Sequence, residues 1–213
     1  MGGTTLEGHG GALAVAVARR HGVEELFTLS GGHVFPLYDG AVKGDPPLRL
    51  VDVRHEQTAV FAAEATAKLL RRPGLAVLTA GPGVTNGVSA ITTAHFNGSP
   101  VLVLGGRAPT GRWGAGSLQE LDHPPLVATV TKHAGTVADV AEVADQVGKA
   151  LDLAAAPHRG PVFLDIALEA LFSQAVAELP DPAPADGREP DPDDLAAVAR
   201  LLGEAQRPVL VLG

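Results

Sequence analysis

The chain has 213 residues, a formal net charge of −8 and no cysteine. These facts argue against a polyanionic partner such as nucleic acid and exclude disulfides, thiolate nucleophiles and cysteine-based metal sites. Apolar residues make up 46% of the chain but aromatic residues only 4%, so the core is expected to be mostly Ala, Val and Leu. Met1 to Glu7 lacks the basic start of a signal peptide. The apolar run Ala12 to Ala18 is too short to span a bilayer and ends in Arg19-Arg20. A cytoplasmic protein with no membrane segment is the expectation. Local phosphate binding through backbone amides stays compatible with the negative charge.

Thr4-x-x-Glu7 reads as a capping box, with a helix running to Arg20 and closed by Gly22. Gly8, Gly10 and Gly11 weaken its first turns. Leu26 to Leu29 reads as a strand and Ser30-Gly31-Gly32 as the turn after it. A short helix follows over Val34 to Val42, then a strand over Leu48 to Val53. The Ala-rich stretch Glu56 to Leu70 predicts a helix with Glu64 and Lys68 as a surface i,i+4 pair, stopped by Pro73-Gly74. Leu75 to Thr79 is a buried strand, Val84 to Phe96 a helix, and Val101 to Leu104 another strand.

Gly105 to His123 is too long for a simple connection and is a candidate functional loop. A helix over about 137–155 precedes a last strand over Pro161 to Ile166. Fully apolar strands alternating with helices predict an α/β fold: a doubly wound, mainly parallel sheet covered on both faces. The domain is assigned to residues 1–172. Residues 173–192 become rich in Pro, Asp, Ala and Glu and read as a linker. Residues 193–213 read as the start of a further, central domain, a helix over Asp193 to Gly203 and a strand over Arg207 to Gly213. An unpaired strand cannot bury both faces, so the sequence is expected to be part of something larger.

Two strand-to-helix junctions carry the chemistry. Val51-Asp52-Val53-Arg54-His55-Glu56 runs from a strand into a helix and places the Glu56 carboxylate at the carboxyl end of that strand, where open α/β sheets bind ligands. Taken alone, Glu56 is more simply an acid stabilised by the helix dipole. Gly81-Pro82-Gly83 offers backbone that a ligand can approach closely. It matches neither the dinucleotide nor the nucleoside-triphosphate glycine pattern.

Taken in order, Ser30-Gly31-Gly32-x-x-x-Pro36-Leu37-Tyr38-Asp39, Arg54-His55-Glu56, Gly81-Pro82-Gly83-Val84-Thr85-Asn86 and Leu118-Gln119-Glu120-Leu121-Asp122 are more specific than any one alone. Over residues 4–172 the chain resembles the N-terminal pyrimidine-binding domain of thiamine-diphosphate enzymes, most closely the acetolactate synthase (acetohydroxyacid synthase) group. The resemblance implies that Glu56 bonds N1′ of the aminopyrimidine. That bond favours the imino tautomer, which takes the proton from thiazolium C2, so that a 2-keto acid is decarboxylated and its remainder passed to an acceptor. A protonated carboxyl is needed, which burial in a dry interdomain site favours. It further implies that Pro82 and Asn86 contact the pyrimidine, that Gly31 and Gly32 face the thiazolium, and that Gln119 lies near substrate and cofactor. Ser30, His33 and Leu118 depart from the usual pattern, and Arg112-Trp113 add bulk to the loop, which leaves the substrate open.

Outside these motifs, His33 and His55 read more simply as structural histidines at helix starts, and His95 and Asn97 as turn or subunit-contact residues. Asp122-His123 reads as solvated. The Ala-rich helices 56–70 and 84–96 are the expected partner surfaces of a homo-oligomer. Mg²⁺ and the diphosphate would be held by another domain or subunit, marked in the family by Gly-Asp-Gly and a later Asn-Asn. Ala185-Asp186-Gly187 is no substitute for that marker. No metal-ligand spacing appears within this chain, and FAD, where used, would bind a central domain. The expected activity is thus that of an acetolactate-synthase-like enzyme of which this chain, inactive alone, is the N-terminal part. A 2-hydroxyacyl-CoA lyase or oxalyl-CoA decarboxylase-like enzyme is the alternative within the family. Further alternatives are a separate pyrimidine-domain subunit, as in split two-chain decarboxylases, and a non-catalytic α/β binding module with Glu56 as a helix acid. The paired histidines typical of pyruvate decarboxylase loops are missing from Gly105 to Glu120.

Overall fold

The chain was analysed as a computed structural model, which describes residues 4–183 and 189–211. Ala185-Asp186-Gly187 and the last two residues of the expected terminal strand lie outside the described residues.

Apolar strands with no polar face must be covered on both sides, and that is the observed arrangement. Six strands form one sheet: β2 (Glu25–Thr28), β3 (Arg49–Asp52), β4 (Gly74–Leu78), β5 (Val101–Arg107), β6 (His133–Val137) and β7 (Val162–Ala167). Their spatial order is β3-β2-β4-β5-β7-β6 and every pairing is parallel. Successive side chains alternate between two cores. Leu75, Val77, Leu102, Leu104, Val162 and Leu164 pack under α1 (Gly10–Arg20), α2 (Phe35–Lys43) and α6 (Val143–Ala155). Ala76, Leu78, Val101, Val103 and Phe163 pack under α3 (Glu56–Leu70), α4 (Pro82–Phe96) and the short α5 (His123–Val127). The doubly wound α/β reading is borne out.

The first element differs from expectation. Thr4–His9 is not the start of a helix but a strand, β1, antiparallel to β8 (Gln174–Leu179), with Thr4 opposite Leu179 and His9 opposite Gln174. Paired β-branched threonines and a glycine favour extended chain there over helix. Helix α1 instead starts at Gly10, where the His9 imidazole accepts the Ala12 amide at 3.1 Å. Strand β8 occupies the front of the expected linker 173–192 and follows α7 (Leu168–Phe172) directly. Leu179 at its end is buried in the first core.

Strand β6 is also new. It is an edge strand carrying His133, Gly135 and Thr136, so its sequence lacks an apolar alternation. The expected helix over 137–155 starts only at Val143. The helix expected over Asp193 to Gly203 is present as α8 (Pro192–Glu204), none of whose residues is buried. Arg207 to Val211 is not a strand.

Glu64 is not at the surface. It is 5% exposed and accepts hydrogen bonds from Asn97 at 2.7 Å and Ser99 at 3.1 Å, besides pairing with Lys68 at 2.9 Å. Burial pushes its pKa up, but these donors outweigh burial and hold the carboxyl below the usual 4.5. The middle of α3 is thereby tied to the turn between α4 and β5. Because its pKa is depressed on folding, the stability it adds is present above about pH 4.5 and lost as pH falls through its folded value. Glu64→Gln should therefore destabilise the protein at neutral pH. The gap to the native protein in urea unfolding should close as pH drops below 4.5.

Helices α1 and α2 cross where Gly11 has no side chain, since a Cβ there would sit 2.2 Å from the carbonyl carbon of Pro36. Gly11→Ala should cost about 1–3 kcal/mol. Gly111→Ala, where a Cβ meets nothing within 4 Å, should stay within about 0.5 kcal/mol of native. Urea midpoints of both variants check this.

Candidate functional site

Strand β2 has β3 on one side and β4 on the other, so the connections leaving β2 and β3 run to opposite sides of the sheet. A gap opens at the carboxyl edge of such a switch point. Three junctions meet there: Ser30–His33 after β2, Glu56 after β3, and Thr79–Asn86 around the start of α4. The long loop before α5 closes over them.

Glu56 is the first residue of α3 and is 8% exposed. His55 before it caps the helix, its Nδ1 accepting the Gln57 amide at 3.2 Å, which is a structural role. Glu56 Oε2 accepts from Asn86 Nδ2 at 3.0 Å, and among the described residues Oε1 has no hydrogen-bond partner. Gly83 leaves room beside that oxygen: a Cβ there would lie 3.7 Å from Oε1 and 2.6 Å from Thr79 Cγ2. Pro82 is exposed at the first position of α4, a place where its missing N–H costs nothing.

Next to this group lies a cleft of about 890 Å³, lined by Ser30, Gly31, Gly32, His33, Thr79 and Gln119 together with Arg112, Leu118, Leu168, Glu169 and Phe172. The structure therefore gathers Gly31, Gly32 and Gln119 around the cleft, and Glu56, Pro82 and Asn86 beside it. Thr79 stands between the two groups. It touches the space of Gly31, where a Cβ would come within 2.3 Å of its own Cβ, as well as that of Gly83. Thr79 was not singled out from sequence. The usable signal was a hydroxyl ending the apolar run Leu75 to Leu78.

Gln119 adopts a left-handed backbone, φ 55°, which is uncommon for a residue with a side chain. Its loop is held at several points. Glu120 accepts the Gly114 and Ser117 amides at 2.8 and 3.3 Å, and Glu169 accepts the Thr110 amide at 2.9 Å. Burial raises the Glu169 pKa, but the Thr110 donors outweigh it and hold the carboxyl below its ordinary value.

His123 is the largest departure from the sequence reading. Expected to be solvated, it is 0% exposed and forms a buried pair with Asp165 at 2.8 Å. Its neighbour Asp122 is exposed and meets Arg107 at 3.1 Å. Only the fold reveals this pair, because Asp165 comes from β7, far along the chain.

Residues 8–126 match the model of the thiamine pyrophosphate enzyme N-terminal TPP binding domain. The chain belongs to this family. It is 46% identical to the acetolactate synthase large subunit IlvG of Mycobacterium tuberculosis, over 96% of this chain and 38% of the relative. It is 42% identical to 2-hydroxyacyl-CoA lyase 2 of Danio rerio, over 80% of this chain and 27% of the relative. The human 2-hydroxyacyl-CoA lyase 2 is 34% identical over 96% of this chain and 38% of its own length. The chain thus spans well under half the length of the curated relatives it matches. The family implies thiamine diphosphate as the cofactor. No described helix is long and apolar enough to cross a membrane.

His33 faces this cleft and is buried, and burial above all pulls its pKa below the usual 6.5 against its hydrogen bond to the Leu118 carbonyl. An unfolded imidazole takes up its proton near 6.5 and the folded one only at lower pH. The stability this group confers is present above about pH 6.5 and is lost as pH falls through the folded value. An NMR titration should place His33 below 6.5. The advantage of native over His33→Gln in urea unfolding should shrink as pH drops through that range.

Proposed function

We propose that this chain is the N-terminal, cofactor-activating part of a thiamine-diphosphate-dependent, acetolactate-synthase-like enzyme that decarboxylates a small 2-keto acid and joins the remainder to an acceptor. The observation that carries the reading is Glu56: a nearly buried carboxyl at the sheet's carboxyl edge, with one oxygen fixed by Asn86 and the other without a partner among the described residues.

An oxygen so placed fits a ring nitrogen. The cofactor, when bound, supplies the carbanion chemistry, and the protein supplies orientation and electrostatics. Glu56 Oε1 would hold or release a proton at N1′ of the aminopyrimidine. Asn86 fixes the carboxyl rotamer while Pro82 and Gly83 shape the wall beside it. Gly31 and Gly32 let the thiazolium region approach the backbone, and Gln119 presents a polar side chain to substrate from across the cleft. Mg²⁺ and the diphosphate are assigned to another domain or a partner subunit, and any FAD to a central domain.

The partner surface is assigned to the outer side of α3 and α4. Phe61, Leu69, Leu70 and Phe96 are exposed there, Leu69 and Phe96 by more than four-fifths. A homo-oligomer through this face would also cover the site, since Glu56 and Asn86 stand at the starts of the same two helices.

A second reading, a 2-hydroxyacyl-CoA lyase, is favoured by one observation. The lining of the cleft includes the apolar side chains of Leu118, Leu168 and Phe172, which suits an acyl chain longer than that of pyruvate.

In full-length or reconstituted protein, Glu56→Gln should lower acetolactate formation from pyruvate, and deuterium exchange at thiazolium C2, by about 10²- to 10⁴-fold. Its far-UV circular dichroism should match the native protein. Unchanged exchange would sink the role of Glu56. Cleavage of 2-hydroxyacyl-CoA by the native protein, with no acetolactate from pyruvate, would select the second reading.

A further inference from the structure

The Gly81 amide needs an acceptor, because Gly81 is buried in a conformation, φ 59°, that points its N–H away from any strand or helix ladder. That acceptor is His123 Nε2 at 2.8 Å. A backbone N–H can only donate, so Nε2 carries a lone pair and the imidazole proton sits on Nδ1. Nδ1 in turn lies 2.8 Å from Asp165 Oδ2. Asp165 is fully buried and otherwise satisfied, with Thr136 Oγ1 donating to Oδ1 at 2.6 Å and Arg107 to Oδ2 at 2.8 Å. Arg107 also lies 4.0 Å from the Trp113 ring centre.

Gly81 is in turn packed on Gln119, since a Cβ on Gly81 would come within 3.0 Å of both Gln119 Cβ and Gln119 O. The cleft-lining Gln119 and the turn that leads into Pro82 and Gly83 therefore share one contact, and a buried histidine from the next element holds one side of it. Both ring nitrogens are used and the ring is 0% exposed, so His123 does not reach a ligand itself.

We propose that His123, locked by Asp165 as the Nδ1–H tautomer, is a positioning residue that holds the Gly81 amide and so sets Gln119 and the Gly81–Gly83 turn against the reacting centre. The catalytic part of this inference rests on the proposed thiamine-diphosphate activity, whereas the tautomer does not. His123→Phe keeps an aromatic ring and removes both hydrogen bonds. His123→Gln can still offer an acceptor to Gly81 and a donor to Asp165.

In the full-length enzyme with thiamine diphosphate and Mg²⁺, His123→Phe should slow C2–H exchange and kcat by about 10- to 100-fold, with the KM for the 2-keto acid nearly unchanged. His123→Gln should restore most of that loss. Nitrogen-15 shifts of the native imidazole should show Nδ1 protonated and Nε2 bare, and the Gly81 amide should exchange with solvent faster in His123→Phe. An Nε2-protonated ring, native-like C2 exchange in His123→Phe, or a loss in His123→Gln as deep as in His123→Phe would each overturn the proposal. If His123→Phe does not fold, the native tautomer and the His123→Gln rate decide. Should Glu56→Gln prove without effect, the functional reading fails, while the tautomer and the Gly81 exchange still judge the His123 geometry by themselves.

Discussion

A parallel sheet buried on both faces leaves only its two ends for chemistry, and here the carboxyl end is the one left open. The connections that leave β2, β3 and β4 there turn within a few residues into helices lying on one face or the other. Where β3 and β4 flank β2, those turns diverge, and the diverging backbone makes the gap. Glu56, Thr79 and Gly31 stand together because of that topology, although the chain separates them by tens of residues. The two cores bracing the sheet differ in grain. Leu and Val dominate under α1, α2 and α6, whereas the buried faces of α3 and α4, the helices bearing Glu56 and Asn86, are mostly alanine and glycine: Ala59, Ala63, Ala67, Gly83, Gly87, Ala90 and Ala94.

That alanine content has a mechanical meaning. Helices with small inward side chains sit close to the sheet, and closeness brings the start of α4 within a hydrogen bond of the start of α3. The Asn86–Glu56 contact spans two helices and two junctions with one bond of 3.0 Å. That bond fixes one carboxylate oxygen of Glu56 and with it the direction of the other. The same closeness buries Glu64 midway along α3, so the helix is held at its start and its middle by polar contacts to α4 or the turn after it.

The parts of this molecule that could be read from sequence were those with local signals. The strand Leu75 to Leu78, the helix from Glu56 and the turn at Gly81 announce themselves within a few residues, by apolar runs, alanine periodicity and glycine. The order of the motifs then pointed to the family. What could not be read depended on distant partners. Thr4–His9 is a strand because Gln174–Leu179 lies beside it, and its threonines favour extended chain without naming that partner. His123 looks solvated next to Asp122 until β7 delivers Asp165. Strand β6 needs the edge of a completed sheet, and its glycine and histidine hide it beforehand. For the site, the structure brings the residues singled out from sequence to the cleft, Gly31, Gly32 and Gln119, or beside it, Glu56, Pro82 and Asn86. No signal in the sequence pointed to their split into two groups around Thr79.

The pairing of β1 with β8 places the entrance and the exit of this domain side by side, Thr4 opposite Leu179. A tension applied between these two points would load that ribbon one rung at a time, like a zip opened from its tab, and not all rungs together in shear. The six-stranded sheet would carry none of that load until the ribbon had parted. Movements of any neighbouring segment joined after Leu179 could therefore be absorbed by this small ribbon, leaving the junctions that carry Glu56 and Gly81 undisturbed.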